Sequence, residues 1–189
     1  MSGGVTPEGA VEPRPSRSPL VRLAVLVVVF LVAGAVAGVV WERWWDAPSG
    51  VTYQGHWYLE PAGPDVSFQG VALFVLIAFP LGIVLGLSAG IQRGHETATA
   101  LTVLVAASLA GVVMYAVGSS LSPPDPQPLA AGQPDYSTDI PGHLGLTAPD
   151  HGRVPWHSSA LVVLPAGAMA GLVGTYLLGS KRLTRRPRG

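Results

Sequence analysis

Four long apolar runs dominate the pattern of hydrophobic and polar positions along the chain. They extend over residues 23–41, 71–91, 98–117 and 158–178, and none contains Asp, Glu, Lys, Arg or His. Each run has about 20 residues, and a helix of that length spans ~30 Å, the thickness of a bilayer's hydrocarbon core. Because backbone polar groups in lipid need internal partners, such runs are expected to be helical. The pattern therefore predicts an all-α membrane protein with four transmembrane helices.

Polar segments flank and separate these runs. Residues 1–19 are rich in Gly, Pro and Ser and have no apolar face, which predicts a disordered N-terminal segment. Residues 20–180 form the predicted transmembrane domain, with long connections at 42–70 and 118–157, and residues 181–189 form a short basic tail. The first run has an alternative interpretation, because "AVAG" (35–38) resembles a signal-peptidase site that would be cut after Ala37.

Charges in the flanking segments predict the orientation. The two long connections contain eight acidic residues and, as basic residues, only Arg43 and Arg153. Lys and Arg accumulate on the cytoplasmic side of membrane proteins. We therefore expect a multi-pass plasma-membrane protein with both termini cytoplasmic and both long connections outside. The nine remaining basic residues fall on the predicted cytoplasmic side: Arg14, Arg17, Arg22, Arg93, Lys181, Arg182, Arg185, Arg186 and Arg188.

Short motifs recur in the same order in the two halves of the chain. "AGVV" occurs at 37–40 and at 110–113, and "GHWYLEPAGPD" (55–65) has a counterpart in "GHLGLTAPD" (142–150). Pro80 and Pro165 then interrupt the second and fourth runs, and each is followed by a Gly-x₃-Gly motif. This order predicts two duplicated helix–loop–helix halves, with both prolines kinking equivalent helices.

Small residues spaced four apart predict how the helices meet. Such faces let helices approach closely, because packing drives helix association inside lipid. The sequence leaves open whether these faces close one bundle or join two chains, and so leaves the oligomeric state open. The predicted helix-packing residues are Gly34, Gly38, Gly82, Gly86, Gly90, Gly111, Gly167 and Gly171.

Aromatic residues crowd the outer edge of the first predicted hairpin. Trp41, Trp44, Trp45, Trp57 and Tyr58 all fall within 18 positions of the end of the first run. Amphipathic rings prefer the membrane–water interface, so anchoring in the bilayer is the expected role. A site at which the rings stack on a ligand is the alternative.

The composition of the chain argues against several classes of function. The chain is 49% hydrophobic and 12% charged, whereas a soluble domain carries about 25% charged residues. Its formal net charge is zero, which gives no global field for nucleic acid, and it contains no cysteine for disulfides or thiol catalysis. Proton relays and intramembrane proteases place ionisable groups within the membrane, and the four runs have none.

Among the His, Asp and Glu side chains of the outer connections, which are of the types that bind zinc, five are candidate ligands. They are His56, Glu60, Asp65, His143 and Asp150. Neutral imidazoles and carboxylates are zinc ligands, but no two histidines lie four apart on a predicted helix. Solvated loop residues are therefore expected, with no metal, no cofactor and no catalytic group, although the question of enzymatic activity stays open.

The segments "WERWWDAP" (41–48), "GHWYLEP" (55–61), "FQGVALFVLIAFPLGIVLG" (68–86) and "SLSPPDPQPLAAG" (120–132) are similar to a family of small actinobacterial integral membrane proteins of unknown function. The resemblance covers roughly residues 20–180 and implies four spans but no catalytic residues. The expected function is that of a non-enzymatic, envelope-associated scaffold or accessory protein. Its expected partners are the lipid bilayer and another membrane or envelope protein, contacted through the outer loops. A small transport or channel component that acts as an oligomer is the alternative.

Overall fold

The computed structural model describes residues 19–60, 64–91, 96–138, 140–146 and 158–181. Within them the chain is mostly helical, and four of its helices are long and apolar enough to cross a membrane, which confirms that part of the prediction. The predicted N-terminal segment up to residue 18 and the tail from residue 182 lie outside the described residues. The elements in chain order are α1 (Pro19–Trp44), β1 (Ser49–Tyr53), β2 (His56–Leu59), α2 (Pro64–Gly90), α3 (Glu96–Leu121), α4 (Pro126–Ala130), β3 (Ile140–Pro141), a 3₁₀ turn (Ser159–Val162) and α5 (Val163–Lys181).

Prolines mark the first residue of three of these helices, namely Pro19, Pro64 and Pro126. The first helical N–H has no intrahelical partner, so proline costs nothing there and its fixed φ favours the helix. The long helices extend beyond the apolar runs. Since α2 begins at Pro64, the first connection is shorter than the predicted 42–70.

The four long helices form a ring in the order α1, α3, α5, α2. The most extensive contacts join α1 to α3 and α2 to α5. In both pairs the contacts advance together along the two helices, so the paired helices are parallel. The interior is apolar, and its largest fully buried side chains within the long helices are Trp41, Phe30, Phe74, Met114, Leu164, Leu172 and Val103.

The outward faces of the same helices are also apolar. Val28, Leu76, Leu101 and Leu177 are among the exposed side chains. In water such surface would be a liability, because soluble monomers rarely expose large contiguous apolar patches. It is the surface that a lipid environment requires.

A small β-sheet joins the two long connections. Its strand order is β2-β1-β3, antiparallel throughout, so the second connection pairs with the hairpin of the first. We call this unit, residues 45–60, 122–138 and 140–146, the cap. The expectation of an all-α chain was wrong here. β-Branched and aromatic residues flank Gln54 and Gly55, whose φ values of 51° and 75° form the two-residue turn typical of tight hairpins.

The cap has its own apolar cluster. Trp57, Ala130 and Ile140 are buried together, with Leu59 packed against them. The Trp57 indole Nε1 donates to the Ile140 carbonyl oxygen at 3.1 Å. The amide group of Gln127 donates to the Trp57 carbonyl oxygen at 3.0 Å and accepts from the Trp57 N–H at 3.3 Å. These bonds hold the hairpin and α4 together.

The cap rests on one end of the helical bundle, where α1 and α3 finish. Leu144 and Leu146 are buried and belong to the core of the bundle rather than to the cluster of the cap. Gly70 on α2 lies under this segment, since a Cβ there would be 3.3 Å from the Leu144 Cδ1 atom. The cap is therefore continuous with the bundle.

Candidate functional site

Four of the predicted packing glycines line the contact between α2 and α5. A Cβ added at any of them would overlap the backbone of the facing helix. The contacts are reciprocal, which means that each contact occurs twice with the roles of the two helices exchanged. The sequence separation that relates Pro80 to Pro165 also relates the residues of one contact to those of the other. The contacts, each from a glycine to a carbonyl oxygen, are Gly82 to Leu164, Gly167 to Phe79, Gly86 to Ala168 and Gly171 to Ile83.

Gly90 continues this seam. A Cβ there would lie 2.8 Å from the Thr175 Cβ atom. The Thr175 hydroxyl donates within its own helix to the Gly171 carbonyl at 3.2 Å and reaches the Leu87 carbonyl of α2 at 3.3 Å. A hydrogen bond between the two helices thus closes the end of the glycine seam.

The predicted glycines of α1 and α3 are less symmetric. On α1, Gly34 packs on the Ala110 backbone and Gly38 on the Met114 carbonyl oxygen. Gly111 of α3 instead faces the 3₁₀ turn before α5, because its Cβ would lie 3.4 Å from the Leu161 carbonyl oxygen. The recurrence of "AGVV" therefore does not place Gly38 and Gly111 in the same seam.

The two prolines occupy different positions in their helices. Pro80 lies in the middle of α2 with its ring exposed, whereas Pro165 is buried and is the third residue of α5. A proline excludes the α-helical hydrogen bond to the carbonyl four residues before it. For Pro165 that carbonyl belongs to Leu161, which lies in the 3₁₀ turn. The missing hydrogen bond is consistent with a 3₁₀ turn at this point and with an α-helix that begins only after it. A kink at either proline stays a prediction.

Two of the predicted interface aromatics are interior residues instead. Trp41 is fully buried, and its indole Nε1 donates to the Gly70 carbonyl oxygen at 2.8 Å. Its ring meets Phe74 edge-on at a centroid distance of 5.1 Å. Trp57 fills the core of the cap. Trp44, by contrast, is 63% exposed and fits the anchoring role.

The candidate metal ligands do not converge among the described residues. His56 opens β2 opposite Tyr53, whereas His143 follows β3, whose Pro141 pairs with Ser49 at the other end of β1. The His143 Nδ1 atom lies 2.7 Å from the Pro123 carbonyl oxygen. Within the described ranges no group of three or more His, Cys, Asp or Glu side chains is placed to hold a metal.

The three carboxylates of that set are also dispersed. The Glu60 side chain is exposed. The Glu60 main chain holds the end of the hairpin, because its N–H donates to the Ser49 carbonyl oxygen and its carbonyl oxygen accepts from the Ser49 hydroxyl. Asp65 lies in the first turn of α2. Asp150 lies outside the described residues. The sequence-predicted loop candidates thus form no common site.

An exposed pair of tyrosines, which the sequence did not suggest, joins the two connections. Tyr53 on β1 is 40% exposed and Tyr136 is 71% exposed, and their ring centroids lie 5.7 Å apart with the planes inclined by 51°. Tyr136 has a φ of 66°, in the left-handed region that costs a non-glycine residue about 1–2 kcal/mol. Strain of this kind persists where the surrounding structure fixes it, and it clusters at ligand-binding sites.

Thr52 holds the Tyr136 backbone in this conformation. Its side chain is fully buried, and its hydroxyl donates to the Pro134 carbonyl oxygen at 2.7 Å and accepts from the Ser137 N–H at 3.1 Å. Its carbonyl accepts from the Tyr136 N–H at 2.7 Å. One threonine therefore clamps the 134–137 turn against β1 and holds the Tyr136 ring beside Tyr53.

A carboxylate completes this cluster. The Asp135 Oδ1 atom accepts from the backbone N–H of Gln54 at 2.8 Å. Asp135 precedes Tyr136 and Gln54 follows Tyr53, so this hydrogen bond joins the residues next to the two tyrosines. We call Tyr53, Asp135 and Tyr136 the tyrosine wedge.

No protein-family model, curated protein or solved structure matches the chain. Its function must therefore be inferred from the geometry and charge of its own residues.

Proposed function

We propose that the chain is a non-enzymatic, envelope-associated scaffold or accessory protein of the plasma membrane that binds a partner through its cap. The observation that carries this proposal is the cap itself. Two connections far apart in the sequence fold into one unit with its own buried cluster and a shared sheet. Loops that merely joined helices would need neither. Membership of the small actinobacterial family is part of the same proposal, on the strength of the motifs in the sequence.

The membrane placement is supported by the four long helices and their apolar outer faces. The distribution of Lys and Arg supports cytoplasmic termini and an outer cap, because the described cap contains neither residue type. In this orientation α1 and α3 run outward and α2 and α5 run inward. The cap then stands on the outer surface, where an envelope partner can reach it.

An internal duplication is supported by the reciprocal glycine contacts of α2 and α5. Two parallel helices related by a two-fold axis must make each contact twice, with the partners exchanged. Gly82 on Leu164 and Gly167 on Phe79 are such a pair. The same register that aligns Pro80 with Pro165 relates them, which fits two copies of one ancestral helix.

The duplication extends less clearly to the other elements. Buried positions of α1 recur in α3 at the spacing of the "AGVV" repeat: Leu26, Phe30, Ala37 and Trp41 correspond to Thr99, Val103, Ala110 and Met114. The glycine contacts of this pair are not reciprocal, however, and the β-hairpin of the first connection has no counterpart among the described residues of the second. The two halves have therefore diverged most where they form the cap.

The side chains inside the bundle favour the scaffold over the alternative of a transport or channel component. Phe30, Phe74, Met114 and Leu164 are fully buried and fill the space between the helices. Among the described residues, the buried polar side chains are Thr52 in the cap and Thr99 on α3. A polar ion pathway normally needs more than this.

Site-directed photo-crosslinking in intact cells tests the proposed function. A benzophenone amino acid is placed at two exposed positions of the cap, Tyr58 and Leu129, and at two exposed positions on the outer faces of the helices, Val84 and Leu104. The proposal expects a discrete protein adduct from the cap positions, of the same mass at both, and none of that mass from the helix positions.

Two outcomes would contradict the proposal. Cap positions that give no protein adduct would remove the proposed partner site. Adducts formed only at Val84 and Leu104, especially with a second copy of the chain, would favour an oligomeric transport component instead.

A further inference from the structure

We propose that the tyrosine wedge binds a cationic side chain, Lys or Arg, presented by the protein partner of the cap. The inference rests on the proposed function, because it assumes that a protein docks there. It adds the position of the contact and the chemistry of the group that is recognised.

The geometry fits a cation. Aromatic faces attract a positive charge within about 6 Å of the ring centroid. Tyr53 and Tyr136 place two exposed rings side by side, with their centroids 5.7 Å apart. Their planes are inclined by 51°, so the two rings are not stacked face to face. Because both rings are exposed and adjacent, one cationic group can lie within about 6 Å of both centroids.

Charge complementarity points the same way. The described cap contains Asp46, Glu60, Asp125 and Asp135 and has no Lys or Arg. Asp125 caps α4 by accepting from the Gln127 N–H, and Asp135 binds the Gln54 N–H through one oxygen. A field of this sign steers cations toward the cap.

The wedge is preorganised, which favours a specific contact over a passive surface. The fully buried Thr52 fixes the 134–137 turn, and the backbone of Tyr136 is held at positive φ. The ordering of the Tyr136 backbone is thus completed on folding and need not occur on binding. Preorganisation of this kind raises affinity by lowering the entropy lost on association.

The first arm of the test measures the site directly. Full-length protein in lipid nanodiscs is labelled with 3-fluorotyrosine and titrated at fixed ionic strength with N-acetyl-arginine methylamide. N-acetyl-citrulline methylamide, a neutral compound of nearly the same shape, is the matched probe. We expect the arginine compound to shift the fluorine resonances of Tyr53 and Tyr136, and the citrulline compound to bind at least fivefold more weakly.

Variants identify the groups responsible. Tyr136→Leu should weaken arginine binding about two- to fivefold, the range for one exposed cation–π contact. Asp135→Asn should weaken it comparably while keeping an oxygen for the Gln54 N–H. Tyr136→Phe should retain binding because the ring remains. Tyr58→Leu is the control, since Tyr58 is an exposed tyrosine of the same hairpin outside the wedge. The indole signal of buried Trp57 verifies in each case that the cap is folded.

Several results would overturn the inference. Equal binding of the arginine and citrulline compounds would show that charge is not recognised, and an equal loss in Tyr58→Leu would show that the wedge is not the site. Broadening of the Tyr136 resonance by spin-labelled lipid would show that the rings anchor the protein at the bilayer interface.

The second arm concerns the occupant. The adduct formed from position 58 should decrease in Asp135→Asn cells. An unchanged adduct beside a lost arginine affinity would overturn the assignment to a partner side chain and leave the proposed function intact. Absence of any adduct from the cap would overturn the proposed function, whereas the titration would still decide whether the wedge binds a cation.

Discussion

Substitution of Gly86 by alanine should separate α2 from α5. The added Cβ would overlap the Ala168 carbonyl oxygen and lie 2.7 Å from its carbonyl carbon and 2.9 Å from its Cα. All three are backbone atoms, so no side chain can rotate away. Gly174, on α5, is the matched control, because a Cβ there would lie 3.9 Å from the nearest atom, the Leu87 Cδ2, in ordinary contact.

The size of the effect follows from these distances. Carbon atoms in contact prefer separations of about 3.5–4.0 Å, so the helices must move apart by roughly 1 Å around Gly86. Overpacking of this kind costs about 1–3 kcal/mol. The higher helix propensity of alanine returns up to about 1 kcal/mol in either variant. Gly86→Ala is therefore expected to be ~1–3 kcal/mol less stable than Gly174→Ala. The Gly174→Ala variant itself should be at least as stable as the parent chain.

Reversible unfolding in mixed detergent micelles measures this difference. Increasing fractions of dodecyl sulfate unfold the protein, and tryptophan fluorescence follows the transition because Trp41 is buried in the bundle. Gly86→Ala should unfold at a lower fraction of dodecyl sulfate than Gly174→Ala. Coincident transitions would refute the close approach of α2 and α5, and with it the reciprocal contact on which the duplication rests.

Two other substitutions probe the bundle and the cap. Trp41→Phe removes the hydrogen bond to the Gly70 carbonyl and part of a fully buried ring, so it should cost about 1–3 kcal/mol in the same titration; Trp44→Phe, at an exposed position, should stay within ~0.5 kcal/mol. Equal effects would contradict the interior position of Trp41. Thr52→Val keeps the shape but leaves the Ser137 N–H without its hydroxyl acceptor, which should cost the cap about 1–3 kcal/mol and speed hydrogen exchange at the Tyr136 amide. Unchanged exchange would show that Thr52 does not hold this turn.

The helices were predictable from the sequence because their signal is local. A run of about 20 apolar residues without a charge has few other interpretations. Gly82, Gly86 and Gly171 also suggested that the second and fourth spans each carry a face for close packing, since small residues four apart leave a flat surface on a helix, but not that these two faces meet. The ring order of the four helices has no such local signature, because it depends on which faces pair in space.

The cap was predictable only in part. Its hairpin carries a local signal in "VTYQGHWYL" (51–59), where strand-forming residues surround a turn dipeptide. The place of Trp41 at the end of an apolar run predicts an interface position, but it does not predict the direction of the ring, which is buried in the bundle. The tyrosine wedge joins residues 53 and 136, which no periodicity connects, so it becomes visible only in the folded cap.

Cysteine accessibility in intact cells tests the central claim, an outer cap on a bundle with cytoplasmic termini, most directly. The chain has no cysteine of its own, so a single cysteine can be introduced at Gln133 in the cap or at Ser180 near the end of α5. With a membrane-impermeant maleimide, Gln133→Cys should be labelled in intact cells, and Ser180→Cys should be labelled only after the membrane is permeabilised. Labelling of Ser180→Cys but not Gln133→Cys in intact cells, or equal labelling of both, would contradict this topology and the outer partner site proposed for the cap.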